Sequence, residues 1–280
     1  MNIIVTGGTG FIGKHLTVQL ASEGHQVHSM SSSQGNIWES DVWQNFPDAE
    51  VVVHLAARTF VPESWANSDG YLQTNFMGTV QALEFCRSRN AHLVFLSSYM
   101  YGEPKFLPIP ETADLAARNP YAFSKMISEK ACQFYMDSFG MKVTVLRPFN
   151  AYGSGQSTAF LVPSIVSQIM AGGPIRVLDL APKRDYIYVK DLVAAISAVI
   201  DTHASGGVFN IGSGVSHSVA ELIAEVQAVL GTSLPVESAE ERRPGEILDT
   251  VADISAARMA LGWTPRFSLR EGLADMLRVP

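Results

Sequence analysis

The chain has 280 residues, 47% hydrophobic and 17% charged, with 22 glycines, 14 prolines and two cysteines. That length holds one large α/β domain or two small ones around a core that needs no staples, and the composition excludes collagen-like and disordered chains. Twenty basic against twenty-seven acidic side chains give a formal charge of −7, so neither nucleic acid nor an anionic membrane is an expected partner.

The first residues, MNIIVTGG, carry no basic lead and no long apolar run, so no signal peptide is expected. Ile3–Val5 reads as a buried strand, and Ile12, Leu16 and Leu20 share one face of a following helix. Gln26–Met30 and Val51–Leu55 are the next strands. A long helix is expected around Asn75–Arg89, a strand at His92–Leu96, a helix over Tyr121–Ser138 and a strand at Lys142–Leu146. Continuous apolar strands separated by helices predict a parallel, doubly wound sheet covered on both faces. Beyond residue 157 the pattern loosens. A helix at 158–171, a short strand at 175–178, a strand at Tyr186–Val189 leading into a helix through Ile200, and a strand at Val208–Ile211 follow. Ser218–Leu230 is a helix opened by a capping box. The longest apolar stretches, such as Leu192–Ile200, are too short to cross a membrane. Cys86 and Cys132 lie in helix-like stretches and build no disulfide framework, which points to a reducing, cytoplasmic compartment; one bridge between them is the alternative. The histidines are scattered, with His25 and His28 on opposite faces of a strand, so no metal site is expected.

Three motifs carry chemistry. TGGTGFIG at 6–13 follows the first strand and opens the first helix. Gly7 permits a tight turn, Gly10 lets a pyrophosphate approach the backbone, and Gly13 lets helix pack on strand, the pattern of a dinucleotide site. A plain tight turn is the alternative. The second strand ends in Met30-Ser31-Ser32-Ser33 with no acidic residue to hold a ribose 2′-hydroxyl. NAD or NADP therefore both fit, and the serines tip the reading toward NADP(H). Tyr121 and Lys125 stand four apart on one helix face, where a cation lowers the phenol's pKa and makes it a usable acid/base; a solvated helix face is the alternative. Ser97 and Ser98 follow a strand at the carboxyl edge, where ligands bind in such sheets.

These segments, with HLAA at 54–57, SSYMYG at 97–102, PYAFSK at 120–125, RPFNAYG at 147–153, RDYIYVKDL at 184–192, NIGSG at 210–214 and ADISAARMALGW at 252–263, resemble the extended short-chain dehydrogenase/reductase family in its nucleotide-sugar epimerase/dehydratase branch. The resemblance covers nearly the whole chain. It implies a Rossmann-like domain over 1–157, to which 184–211 returns, and a smaller nucleotide-sugar-binding α/β region over 158–280. It further implies Tyr121 as acid/base, Lys125 as its partner, and Ser97, or its neighbour Ser98, as the catalytic serine. Gly7, Gly10, Phe11, Ile12, Gly13, Ser31, Ser32, Asn36, Ile37, Leu55, Ala56, Ala57, Asn75 and Pro148 would join Tyr121 and Lys125 at the cofactor. Ser98, Asn150, Arg184 and Arg243 would contact a nucleoside diphosphate sugar. The resemblance also implies a homodimer through a four-helix bundle made from the helices around 75–89 and 121–138.

The departures narrow the chemistry. Ser98 and Tyr99 occupy the places where dehydratases carry Asp and Glu, so water elimination and decarboxylation are not expected. Reversible hydride transfer at a sugar carbon remains. A 4-epimerase like UDP-glucose 4-epimerase is the favoured reading, and an NADPH-dependent 4-keto-6-deoxy-sugar reductase is its rival. A non-enzymatic dinucleotide-binding regulator is a third reading, against which the retained Tyr and Lys stand. The connection Ser31–Glu50 is short for the family. Asn36 stands where an Asp is usual, and the loop from Ile175 to Arg184 is one residue short, which leaves the nucleotide base open.

Overall fold

The computed structural model describes residues 1–242 and 245–277. In the first half the chain runs β1 (Asn2–Thr6), α1 (Phe11–Ser22), β2 (Gln26–Met30), α2 (Ser40–Gln44), β3 (Val51–His54), α3 (Val61–Ala66), α4 (Ser68–Tyr71), α5 (Gly78–Arg89), β4 (His92–Leu96) and α6 (Pro120–Phe139). There follow β5 (Val143–Pro148), β6 (Asn150–Tyr152), α7 (Leu161–Met170), β7 (Ile175–Val177), β8 (Lys183–Tyr188), α8 (Val189–Thr202), β9 (Val208–Ile211), β10 (Ser216–Ser218), α9 (Val219–Leu230), β11 (Val236–Ser238), α10 (Ser255–Leu261) and α11 (Leu269–Leu277).

Six strands form one parallel sheet in the order β2-β1-β3-β4-β5-β9. This is the Rossmann-like sheet that the continuous apolar runs predict. Successive strand residues point to opposite faces, and two cores result. Ile3, Val5, Val53, Val94 and Leu146 pack on one face with α1 and α8, while Ile4, Val52, Leu93, Phe95 and Val145 pack on the other. Chain order reverses between β1 and β3, and the crevice for a ligand lies beyond the carboxyl ends of the strands there. A three-stranded sheet, β10-β8-β6, and a pair, β11-β7, stand beside it.

The helix expected from Asn75 begins earlier, as a π-helical turn over Leu72–Met77 that runs into α5. The β8 strand contains the expected Tyr186–Tyr188 but begins three residues earlier, at Lys183, because Lys183–Asp185 pair with β10 rather than lying in an apolar run. Ser218 and Glu221 form the expected capping box. The segment Gly102–Asn119 has no helix or strand and is tied down by Ile109, whose backbone pairs with Val251 and Asp253 at 2.7 and 3.0 Å. Cys86 and Cys132 are buried free thiols, not a bridge. Among the described residues no helix is long and apolar enough to cross a membrane, and no group of His, Cys, Asp and Glu is placed to hold a metal.

Two imidazoles lie inside this framework. His54 pairs with the Thr6 hydroxyl at 2.9 Å and His92 with that of Thr144 at 2.9 Å. Burial pushes their pKa values down to about 3 and about 4. The unfolded chain takes up these protons near pH 6.5, so the stability they contribute is complete above that pH and is lost as pH falls toward 4. Urea unfolding at pH 5 should show lower stability than at pH 7.5. His92→Asn, which keeps a partner for Thr144, should remove about 2 kcal/mol of that difference; an unchanged difference would exclude His92 as its source.

Candidate active site

The glycine turn is built by backbone contact. Gly7 has φ +68°, and a Cβ there would stand 3.0 Å from the Ala56 backbone, so an L side chain meets both strain and a wall. A Cβ on Gly13 would lie 2.2 Å from the Gly7 carbonyl oxygen, whereas one on Gly10 would meet only that oxygen, at 3.1 Å. Gly13 therefore serves helix-to-turn packing and Gly10 presents open backbone. The first turn of α1, starting at Phe11 and Ile12, has no side-chain cap and no acidic residue. Its N–H groups and the helix dipole are thus free to receive an anion. These features fit a dinucleotide pyrophosphate.

The residues after β3 close the same crevice. The Ala56 amide donates to Thr6 Oγ1 at 3.1 Å and the Leu55 amide to the Thr6 carbonyl at 3.2 Å; Ala57 follows them, half-buried. At the end of β2, the Ser31 amide donates to Gln34 Oε1 and its hydroxyl pairs with Ser33, while Ser32 opens a 3₁₀ turn. Asn36 donates to Glu39, and the Ile37 carbonyl accepts from Trp43 Nε1. Pro148 ends β5, buried beside Ile211 of β9.

Tyr121 sits in the first turn of α6, where Asn119 caps the Ala122 amide at 2.8 Å and Pro120 occupies the first position. Its phenol is hydrogen-bonded by the Ser98 hydroxyl, which lowers its pKa, but burial dominates and pushes it up to about 12. This corrects the expectation that Lys125 lowers it. The Lys125 ammonium, buried, donates to the Leu96 carbonyl at 2.6 Å and lies 4.6 Å from the centre of the Phe95 ring. Burial draws Lys125 itself down to about 8. The two serines differ: Ser98 meets Tyr121, whereas the Ser97 hydroxyl is buried without a partner.

Asn75, carried on the π turn, is buried and bridges two parts of the site. Its amide accepts from the Arg58 N–H at 2.8 Å and donates to the Arg58 carbonyl at 3.0 Å and to Ser124 Oγ at 2.8 Å. It thereby ties the segment after β3 to α6 between Tyr121 and Lys125. A π turn is a common device at functional positions.

Of the expected substrate contacts, Asn150 accepts from the Tyr99 hydroxyl at 2.9 Å and donates to the Asp185 carbonyl at 3.2 Å. Tyr99 is stacked on Phe149 at 4.7 Å. Arg184 pairs with Glu246 and donates to the Ile247 carbonyl at 2.8 Å, so it faces the 245–248 segment. Arg243 lies outside the described residues. Sequence reasoning missed the Asp185 carboxylate, which accepts from the Ser213, Gly214 and Ala252 amides at 2.6, 3.0 and 3.1 Å. It joins β8 to the turn after β9 and to the C-terminal segment; its place in RDYIYV beside NIGSG was the available signal.

Residues 3–212 match the model of the NAD dependent epimerase/dehydratase family. The chain belongs to that family. It is 30% identical to a GDP-6-deoxy-D-mannose reductase of Pseudomonas aeruginosa, over 98% of this chain and 95% of the relative. A crystal structure of UDP-glucose 4-epimerase with UDP-glucose from Thermotoga maritima is 29% identical and superposes with a TM-score of 0.91, covering 99% of this chain and 97% of that one. The structure of RMD from Pseudomonas aeruginosa complexed with NADPH, also 29% identical, superposes with a TM-score of 0.88 over 99% and 97% of the two chains. As a member of the epimerase/dehydratase family, the protein is an NAD(P)-dependent nucleotide-sugar epimerase or reductase.

The serine geometry separates two substitutions. Ser98→Ala removes the hydrogen bond to Tyr121 and should lower kcat by about 10²-fold. Ser97→Ala removes a hydroxyl that has no partner, which is neutral or stabilising, and should leave kcat within about twofold, a limit set well below the loss expected of a proton-transfer partner. Steady-state rates of the two variants check this, and the reverse ranking would overturn it.

Proposed function

We propose that the protein inverts C4 of a nucleoside diphosphate sugar, as a 4-epimerase, with Tyr121 as acid/base. The observation that carries the reading is the placement of Tyr121 and the buried Lys125 on one face of α6, with Lys125 donating to Leu96 at the end of β4 and Ser98 following that strand toward Tyr121. A bound nicotinamide supplies the hydride acceptor and donor. Tyr121 takes the proton of the C4 hydroxyl and returns it after the keto-sugar has turned in the cleft, and Ser98 holds the same oxygen in both steps. Lys125, its ammonium held at the Leu96 carbonyl, would hold the nicotinamide ribose. Asn150, Arg184 and Arg243 hold the diphosphate, with the smaller region after residue 157 closing over the sugar.

Two observations favour a second reading, reduction of a 4-keto-sugar by NADPH. No carboxylate stands among Ser31–Gln34 to repel a 2′-phosphate. Tyr121, pushed up to about 12, is a phenol at neutral pH and ready to donate a proton. The two readings separate in one measurement. The purified protein is scanned for retained dinucleotide absorbance and given NADPH with a panel of nucleotide 4-keto-sugars. Retained cofactor with no net consumption is expected for the epimerase, and stoichiometric NADPH loss would replace it with the reductase. Tyr121→Phe should cut turnover by about 10³-fold while dinucleotide binding persists; undiminished turnover would overturn both.

We further propose a cytoplasmic homodimer. Phe123, Phe134 and Phe139 of α6 are 45%, 57% and 51% exposed, and Met77 before α5 is 40% exposed. Apolar side chains of this size on two adjacent helices match a bundle with a second copy. Sedimentation at micromolar concentration should give a dimer, and Phe134→Glu a monomer; a monomeric wild type would overturn the assembly.

A further inference from the structure

The amino ends of the strands carry a second group of titratable side chains, at the opposite edge of the sheet from Ser98 and Tyr121. An open cavity of about 650 Å³ there has Asp48, Glu50, Arg89, His92, Lys142 and His203 in its lining. It lies where β3, β4 and β5 begin, at Val51, His92 and Val143, and where α8 ends in the left-handed cap His203.

The charges in it are not equally free. Arg89 is committed to Asp48 at 2.8 Å, to the Ser88 hydroxyl at 2.9 Å and to the face of the Phe85 ring. Glu50 is turned to the backbone of β1, where it accepts from the Asn2 amide. The side chains of Lys142 and His203 make no hydrogen bond or ion pair with any of the described residues. An ammonium and an imidazole N–H are therefore left to donate into the cavity.

The buried wall of the cavity is His92, only 7% exposed, and its tautomer follows from counting protons. The Thr144 hydroxyl donates its one hydrogen to the Ala204 carbonyl. Its 2.9 Å contact with His92 Nε2 must then be a donation from the ring. Burial, with Lys142 and His203 adding to it, lowers the pKa of His92 to about 4, so the ring is neutral at pH 8 and Nδ1 holds a lone pair. No donor among the described residues reaches that nitrogen. Unlike His54 Nε2, which is sealed without a partner, it is open to solvent.

We propose that this cavity binds a small oxyanion that keeps a hydroxyl of its own, hydrogen phosphate being the simplest. Lys142 and a ring N–H of His203 donate to its oxygens, and its O–H donates to His92 Nδ1. Charge-assisted donors supply the affinity, and the lone pair on Nδ1 supplies the selectivity. Sulfate has the same shape but no hydrogen to give, so it sets an anionic oxygen against that lone pair and leaves a buried acceptor unpaired. The site is independent of the function proposed above.

The experiment titrates phosphate, and separately sulfate, at pH 8 and constant ionic strength into protein with ¹⁵N-labelled histidine rings. His92 and His203 are assigned by His92→Asn and His203→Gln. Reading these two rings separates the cavity from the glycine turn, which also receives anions. Without anion, His92 should show Nε2–H and a bare Nδ1. Phosphate should move both rings to saturation, sulfate should bind about tenfold more weakly, and Lys142→Gln, a change at an exposed side chain, should weaken phosphate by about tenfold. A proton on Nδ1, rings that phosphate does not move, sulfate binding as tightly as phosphate, or an unchanged affinity in Lys142→Gln would each overturn the inference.

Discussion

A buried ammonium sets the terms for this site. Lys125 is 3% exposed, and an isolated charge at that depth costs several kcal/mol unless it is hydrogen-bonded and paired. Its requirements fix the docking of α6. The Nζ must reach the Leu96 carbonyl at the end of β4, which brings Tyr121, one turn earlier, over the serine pair that follows the same strand. Glu129, one turn later, then falls against β5, where Arg147 meets it. The chain of polar contacts continues from Arg147 to Tyr101, from Tyr101 to Asn210 at 2.6 Å, and from Asn210 to Glu111. One helix, three strands and the irregular 102–119 segment are thereby held in a single arrangement. Such networks are worth having only when every member is satisfied, and here the partners are present at each step.

The crevice on the other side of Tyr121 depends on close backbone approach. Thr6 ends β1 and supplies both its hydroxyl and its carbonyl to the residues after β3, which draws Ala56 against Gly7. His54 completes the hydroxyl's partners and is held neutral by burial. It therefore adds no charge beside Lys125. Asn75 carries the same constraint outward to α6 through Arg58 and Ser124. The glycine turn and the tyrosine helix are linked through short, buried side chains, Thr6, Asn75 and Ser124, which leave little freedom between them.

Much of this was legible from residues alone, and the reason differs from element to element. The parallel strands announce themselves because both of their faces are buried, leaving uninterrupted runs such as Val51–Val53. Tyr121 and Lys125 share a helix face by spacing, and their meeting with the serines follows from strand order. Counting from Tyr101 points to Ser97 and leaves Ser98 open, whereas only the fold shows that Ser98 acts on Tyr121 and that the Ser97 hydroxyl is buried without a partner. The pKa of Tyr121 was misjudged for a related reason. Spacing places Lys125 near the phenol, but only the fold shows its ammonium turned to the Leu96 carbonyl and the half-buried phenol meeting Ser98 instead. The short elements β6, β10 and β11, three residues each, have too few positions for periodicity to register. The Arg147–Glu129 pair spans 18 residues and two elements, so no local pattern contains it.

The two proposed reactions would share Ser98, Tyr121 and Lys125, and would differ in whether the dinucleotide stays or leaves. Retention would depend on the far side of the crevice, where the proposal sets the adenosine half against the segment from Ser31 to Glu50. That segment is ordered by its own contacts: the Ser31–Gln34 capping box, the Asn36–Glu39 hydrogen bond, and Trp43 bound to the Ile37 carbonyl. Ile37 in turn packs against Gly78 at the start of α5, close enough that a Cβ there would stand 2.7 Å from it. A segment that is already folded needs no ordering when ligand arrives and gives up none when ligand departs. The end of β2 carries the neutral Ser31, Ser32 and Ser33, so a nucleotide seated there as proposed would be held by a few hydrogen bonds instead of an ion pair. On that reading cofactor affinity would be set some distance from the reacting atoms, by residues outside the motifs quoted for the family. On the function proposed above, the same side chains on the same sheet edge would serve an enzyme that keeps its dinucleotide or one that exchanges it, and the short connection after β2 is where the two would differ.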